Sequence, residues 1–272
     1  MRRRIIALDL DGTLLTPQKT ILPESLTALQ RARAAGYQVL IVTGRHHVAI
    51  HPFYQALALD TPAICCNGAY IYYYAAGSVL EGSPLSRKQA RETLNLLEAW
   101  HIHALMYVDD EMLYQTPVGH VERTQRWALT LPEHQRPTLR KVDSLFAAVD
   151  SAHAIWKFAL TGEDIPRLQQ ITRQIESELQ LACEWSWRDQ VDVARPGTSK
   201  GHRLAQWVAA QGATMNEVVA FGDNYNDLSM LEAAGLGIAM GNADDAIKAR
   251  ADKTIGTNEE SSIADAIYRW LL

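Results

Sequence analysis

The chain of 272 residues is long enough for one large domain or two modest ones, and its 47 % hydrophobic content supports full cores and excludes disorder. With 26 basic against 31 acidic residues the formal charge is −5, and no basic stripe interrupts the sequence, which excludes a nucleic-acid partner. No apolar stretch approaches about 18 residues, so no membrane span is expected.

The basic start Arg2-Arg3-Arg4 leads into an apolar run that Asp9 interrupts, too short a run for a signal peptide. That run, residues 5–8, fits a strand buried on both faces. A helix is expected over 23–35, with Leu26, Leu29 and Ala32 at helical spacing and Gly36 as its cap. Residues 38–42 form a second buried strand ending at Thr43-Gly44-Arg45, a helix begins near His46, and 63–66 form a third strand ending at Asn67-Gly68. This alternation implies parallel strands joined by right-handed crossovers. Strands at 71–74 and 79–80, joined through Ala76-Gly77, read as a hairpin.

From about Ser83 the pattern changes. Helices are expected at 86–100, 118–130, 143–149 and 164–179, and strands at 103–109, 112–116, 155–160 and 181–187. Together they suggest an α+β insert over 83–188, a reasonable size for a small domain. The core pattern is expected to resume near Val191, so that 1–82 and 189–272 form one domain. Its second part carries helix 199–211, strand 218–221, helix 228–234, strand 236–240, helix 243–251, strand 253–255 and helix 261–270. The fold class is α/β, a doubly wound Rossmann-like parallel sheet with an inserted α+β domain. The three cysteines, with Cys65 and Cys66 adjacent, make a poor disulfide framework and read as reduced apolar residues of a cytoplasmic protein.

The chemistry gathers at strand ends. Asp9 and Asp11 stand at i and i+2 where the first strand stops, and ligands of open α/β sheets sit outside the carboxyl ends of strands. An Asx turn needs one aspartate, and a second unpaired carboxylate beside the first is costly unless a cation lies between them. Thr43 suits a phosphate oxygen or a helix cap equally well. Lys200 stands at a helix start, an unfavourable place for a cation, where a surface lysine is the ordinary reading. Asp223 follows Phe221-Gly222 as Asp9 follows its own strand, a credible further carboxylate on the cation. Oxygen ligands suit Mg²⁺ better than zinc, and the histidines and cysteines lack zinc-ligand spacing. Gly235-Leu236-Gly237 lacks the context of a dinucleotide site.

Asp9-Leu10-Asp11-Gly12-Thr13, Thr43-Gly44-Arg45, Ser199-Lys200-Gly201 and Gly222-Asp223-Asn224-Tyr225-Asn226-Asp227 follow one another as do the motifs of the haloacid dehalogenase-like phosphatases. The chain resembles that superfamily, and its Cof-type subfamily, from residue 5 to about 271. The resemblance implies that Asp9 is the nucleophile of an aspartyl-phosphate and that Asp11 is the general acid and then the base. It places the Leu10 backbone, Thr43, Gly44, Lys200 and Asn226 around the phosphate. Mg²⁺ would be held by Asp9, Asp11 and Asp223, with Asp227 behind it holding a metal-bound water. The insert resembles the cap of the subfamily that takes sugar phosphates and pyridoxal phosphate, so a small phosphorylated metabolite is the expected partner. Trp185, Trp187 and Arg188 are candidates to read it, although aromatic residues on a strand more often pack in a core. A phosphomutase and a catalytically silent phosphate-binding module are the rival readings, and the complete motif set argues against the second.

Overall fold

The computed structural model describes residues 4–272. Arg2 and Arg3, read above with the apolar run behind them, lie outside the described residues. The chain begins β1 (Ile5–Leu8), α1 (Pro23–Ala34), β2 (Gln38–Ile41), α2 (His51–Ala56), β3 (Ala63–Cys65), β4 (Tyr70–Tyr73) and β5 (Ser78–Gly82). It continues α3 (Arg87–Trp100), β6 (His103–Val108), β7 (Glu111–Tyr114), α4 (His120–Ala128), β8 (Leu139–Lys141), α5 (Leu145–Ser151), β9 (Ile155–Thr161), α6 (Ile165–Gln174), β10 (Ala182–Trp187) and β11 (Gln190–Ala194). It ends α7 (Lys200–Ala210), β12 (Val218–Gly222), α8 (Leu228–Ala233), β13 (Leu236–Ala239), α9 (Asp245–Lys248), β14 (Lys253–Thr254) and α10 (Ser262–Trp270). Two compact units result: one takes residues up to Gly44, Pro52–Glu81 and Ser199–Leu272, the other Arg45–His51 and Gly82–Thr198.

The first unit is built on a parallel five-stranded sheet of order β14-β13-β12-β1-β2. Its inner strands are apolar on both faces, as a sheet covered on both sides requires. Ile5 and Ala7 of β1 join Leu204, Trp207 and Val208 of α7 in one core, while Ile6 and Leu8, equally buried, point to the other face. Ala28, Leu29 and Ala32 are the buried stripe of α1, which packs against α10. The chain leaves β1 toward β2 on one side and returns to β12 on the other. The reversal of strand order therefore falls between β1 and β12, where open α/β sheets bind ligands. A parallel bridge from Val42 to Ile64 adds β3, which turns back through β4 and β5 as an antiparallel hairpin.

The second unit carries a six-stranded sheet of order β10-β11-β9-β6-β7-β8, antiparallel except between β7 and β8. One face buries Met106, Phe158, Leu160, Val191 and Val193 against Leu94, Leu97, Leu168 and Ile171 of α3 and α6. A capping box between Ser86 and Gln89 starts α3 at the expected place.

Four local expectations are corrected. Residues near Val191 do not resume the first sheet: Val191 pairs with Leu160 and Val193 with Phe158, so the return lies after Thr198. The alternation of Val191 and Val193 fits either sheet, and nothing local separates the two. Arg45 and His46 belong with the second unit, where the His46 ring meets the Val108 carbonyl at 3.2 Å. The helix expected from His46 is a short turn over His47–Ala49 followed by α2, because Pro52 is tolerated only in a helix's first turn. The helix expected over 243–251 shrinks to Asp245–Lys248, since Asp252 ties the chain to β13: its N–H donates to the Gly237 carbonyl at 2.9 Å, and its carboxylate accepts from the Gly237 N–H at 2.8 Å. The short, polar β8 gave no strand signal at all.

Candidate active site

Adjacent strands deliver the motif residues to one edge of the first sheet. Leu8 lies opposite Phe221 on one side and Ile41 on the other. The Asp9 N–H donates to the Phe221 carbonyl at 3.1 Å, and the Val42 N–H to the Leu8 carbonyl at 2.8 Å. Asp9, Thr43 and Asp223 thus follow the carboxyl ends of three neighbouring strands.

Lys200 is the first residue of α7, and Ser199 caps the helix by accepting from the His202 N–H at 3.1 Å. The ammonium is buried, 1 % exposed, and bonds Asp9 Oδ1 at 2.6 Å and Asp227 Oδ1 at 2.7 Å. Burial works to lower the Lys200 pKa, but Asp227 and Asp9 outweigh it and hold the group charged. These two carboxylates also offset the unfavourable helix dipole. Gly201 lets α7 sit this deep: a Cβ there would lie 2.1 Å from the Ser229 carbonyl oxygen of α8.

Asp227 is fully buried, and its second oxygen accepts the N–H groups of Asp223 and Asn224, both at 3.0 Å. It therefore anchors both Lys200 and the loop that presents Asp223. Thr13 donates to Asp223 Oδ1 at 2.9 Å. At Gly12, φ is +85° and a Cβ would lie 2.2 Å from Asp223 Oδ2, so this turn accepts only glycine.

Among the described residues, Asp9, Asp223 and Asp227 form an acidic group in which one oxygen from each lies within 4.8 Å of the other two. Three carboxylates against one ammonium leave two negative charges in a buried place. Burial first, then Asp227, raises the Asp9 carboxyl to about 7 despite Lys200. Burial first, then Asp9 and Asp227, raises Asp223 well above the carboxylate range. An all-oxygen set short of two positive charges fits a hard divalent cation.

These shifts set a pH dependence for the metal-free protein. The folded Asp9 keeps a proton that the unfolded chain releases between about pH 4 and pH 7. Its contribution to stability is complete below that window and lost as pH rises through it. The thermal midpoint in excess chelator should accordingly fall from about pH 5 to pH 8, and Mg²⁺ should flatten the slope. A midpoint that rises over that range in chelator would contradict the assignment.

Asp11 departs from expectation. Its carboxylate is not in the acidic group; Oδ1 meets Lys19 Nζ at 2.6 Å, on the side of the loop that follows Gly12. The chain turns at Gly12 and Asp11 bridges Leu15, so the spacing i, i+2 does not bring the two carboxylates into one group.

Thr43 is buried, its N–H donating to the Ile64 carbonyl at 2.9 Å and its own carbonyl accepting from Asn67 N–H at 3.0 Å. A Cβ on Gly44 would stand 2.8 Å from Asn67 Oδ1, and Asn226 Nδ2 donates to that same oxygen at 3.1 Å. The structure thus groups Thr43, Gly44, Asn67 and Asn226, and leaves Asn226 Oδ1 buried without a hydrogen-bond partner. Asn67, at φ 55°, was legible only as the end of a strand. Leu10 is buried, and its carbonyl accepts from the Leu15 N–H at 2.8 Å.

In the second unit, Trp185 packs onto the apolar core, the ordinary reading for a strand aromatic, whereas Trp187 is half exposed beneath the Arg123 guanidinium. The same sheet hides a polar group on its other face. Lys157 Nζ bonds Asp192 Oδ2 at 2.7 Å and lies 4.5 Å from the Tyr107 ring, and Gln190 Nε2 donates to Asp192 Oδ1 at 3.3 Å. Sequence reasoning passed over this pair, although a lysine and an aspartate inside strands that are otherwise apolar were a visible signal.

The sequence model of the haloacid dehalogenase-like hydrolases matches residues 6–267, and the chain belongs to that family. It is 63 % identical to the pyridoxal phosphate phosphatase of Escherichia coli (strain K12), with 100 % of both chains covered. It is 30 % identical to a 5-amino-6-(5-phospho-D-ribitylamino)uracil phosphatase of Bacillus subtilis (strain 168), over 96 % of this chain and 94 % of that protein. Among solved structures, a haloacid dehalogenase-like hydrolase from Bacteroides thetaiotaomicron superposes with a TM-score of 0.86 at 26 % identity, covering 98 % of this chain and 99 % of that one. No helix among the described residues is long and apolar enough to cross a membrane, and none of Cys65, Cys66 and Cys183 forms a disulfide.

Proposed function

We propose that the chain is a cytoplasmic Mg²⁺-dependent phosphatase of small phosphomonoesters, with pyridoxal phosphate as its principal substrate. The observation that supports the chemistry is the buried Asp9 carboxylate, held by Lys200 at 2.6 Å at the point where the strand order reverses. The full-length identity of 63 % to a pyridoxal phosphate phosphatase supports the substrate.

A phosphate monoester repels anionic attackers, so the site must position the nucleophile and supply positive charge. Asp9 attacks phosphorus; the bond from its oxygen to phosphorus forms as the ester P–O bond breaks. Asp11 gives its proton to the departing oxygen, then takes one from the water that attacks the aspartyl-phosphate and returns phosphate and free Asp9. Lys200 opposes protonation of the Asp9 carboxylate and aims it. Thr43, Gly44, Asn226 and the Leu10 amide are assigned to the phosphate oxygens, and Asp227 to holding Lys200 and Asp223. Asp9 and Asp223 would hold Mg²⁺, which when bound neutralises charge on the phosphoryl oxygens. Residues 82–198 are assigned to leaving-group recognition.

Phosphate release from pyridoxal phosphate and a panel of sugar phosphates tests the reading, with and without an added sugar acceptor. Activity should vanish in excess chelator, return with Mg²⁺, and stay low with Ca²⁺, which takes more oxygen ligands at longer distances than Mg²⁺. Full turnover in chelator, or transfer to the acceptor in place of hydrolysis, would reject it.

A further inference from the structure

Lys19 belongs to none of the motifs, yet its ammonium meets the Asp11 carboxylate at 2.6 Å. The backbone explains how it gets there. After Thr13 the chain forms a small hairpin in which Leu15 bridges Asp11 on one side and Ile21 on the other. The Thr16 N–H donates to the Thr20 carbonyl at 2.9 Å, and the Lys19 N–H donates to the Thr16 carbonyl at 2.8 Å. Thr16-Pro17-Gln18-Lys19 is thus a turn with proline where its fixed φ is wanted, inside a three-residue hairpin loop. Such a loop ends on a left-handed residue, a position that glycine fills at no cost. Here Lys19 takes it, at φ +61°.

The choice is not explained by stability. A left-handed backbone penalises any residue with a Cβ. The ion pair is partly open, with side chains 24 % and 27 % exposed, and pairs of that kind contribute little. Strain of this sort persists where a side chain has another task. We propose that Lys19 is a positioning residue: it grips Asp11 Oδ1 and fixes the orientation of that carboxylate, so that both proton transfers run through a group already in place. This rests on the phosphatase reading above, in which Asp11 protonates the departing oxygen and later accepts a proton from water.

The test uses two leaving groups. The alcohol leaving from pyridoxal phosphate needs a proton, whereas p-nitrophenolate departs without one. For a covalent mechanism kcat/KM reports the first, leaving-group step. Lys19→Met and Lys19→Asn should lower kcat/KM for pyridoxal phosphate by about tenfold to a hundredfold, mainly through kcat, and that for p-nitrophenyl phosphate by less than about threefold. Lys19→Arg should restore most of the loss. Lys19→Asn, which tolerates the left-handed backbone, should match or exceed the wild-type urea midpoint. An equal loss on both substrates with a lowered urea midpoint would show a merely structural residue and overturn the proposal, as would unchanged kinetics in Lys19→Met. Wild-type activity is measured first: hydrolysis of neither ester would reject the phosphatase reading and this inference with it, an outcome distinct from an active enzyme indifferent to Lys19.

Discussion

Replacing Asp9 with asparagine is expected to lower turnover of pyridoxal phosphate by about 10⁴-fold or more, because the amide is nearly isosteric but cannot attack phosphorus. The fold should not suffer. Asp9 is buried beside Asp227 and Asp223, and its raised pKa shows that the ionised form is opposed there. Removing that charge relieves repulsion while the amide oxygen still accepts from Lys200. The urea midpoint of Asp9→Asn in chelator should therefore equal or exceed that of the wild type. Residual activity above a few per cent of wild type would remove Asp9 from the nucleophile's role.

The second large effect belongs to Lys200. Lys200→Met takes away the one ammonium bonded to both Asp9 and Asp227, and leaves those buried carboxylates without it. Breaking a buried pair in this way costs about 3–5 kcal/mol, far more than the loss of a surface ion pair. Urea denaturation in chelator should show that loss directly. Mg²⁺ should return part of the stability by supplying positive charge, but not the activity, since the nucleophile would no longer be aimed. A Lys200→Met protein as stable as the wild type in chelator would contradict the charge balance described for the site.

Much of this was legible in the sequence because the signals were strong and local. The apolar run of β1 cannot be a solvent-facing strand, and two aspartates and a glycine at its end announce a ligand site. Lys200 read as a surface lysine in isolation and acquired meaning only from the resemblance; its burial depends on Gly201, whose contact with Ser229 lies 28 residues away. What was not legible depends on partners remote in sequence. The register of β11 is decided by β9 and not by its own alternation, so the far boundary of the insert was placed too early. The direction of the Asp11 side chain is not legible, because spacing says nothing about it and the hairpin that brings Lys19 to it has no strand signal of its own. Asn67 and Asn226 meet across 159 residues, which no local pattern reveals.

An aspartyl-phosphate on Asp9 can be trapped. Rapid acid quench of the Mg²⁺-loaded protein turning over pyridoxal phosphate, followed by peptide mapping, should find a hydroxylamine-labile phosphoryl group on the peptide that contains Asp9, absent from Asp9→Asn. Hydrolysis should proceed with retention of configuration at phosphorus, the mark of two successive in-line displacements. Rapid turnover with no phosphoryl group on Asp9 and with inversion at phosphorus would mean that water attacks the substrate directly, and would contradict the account.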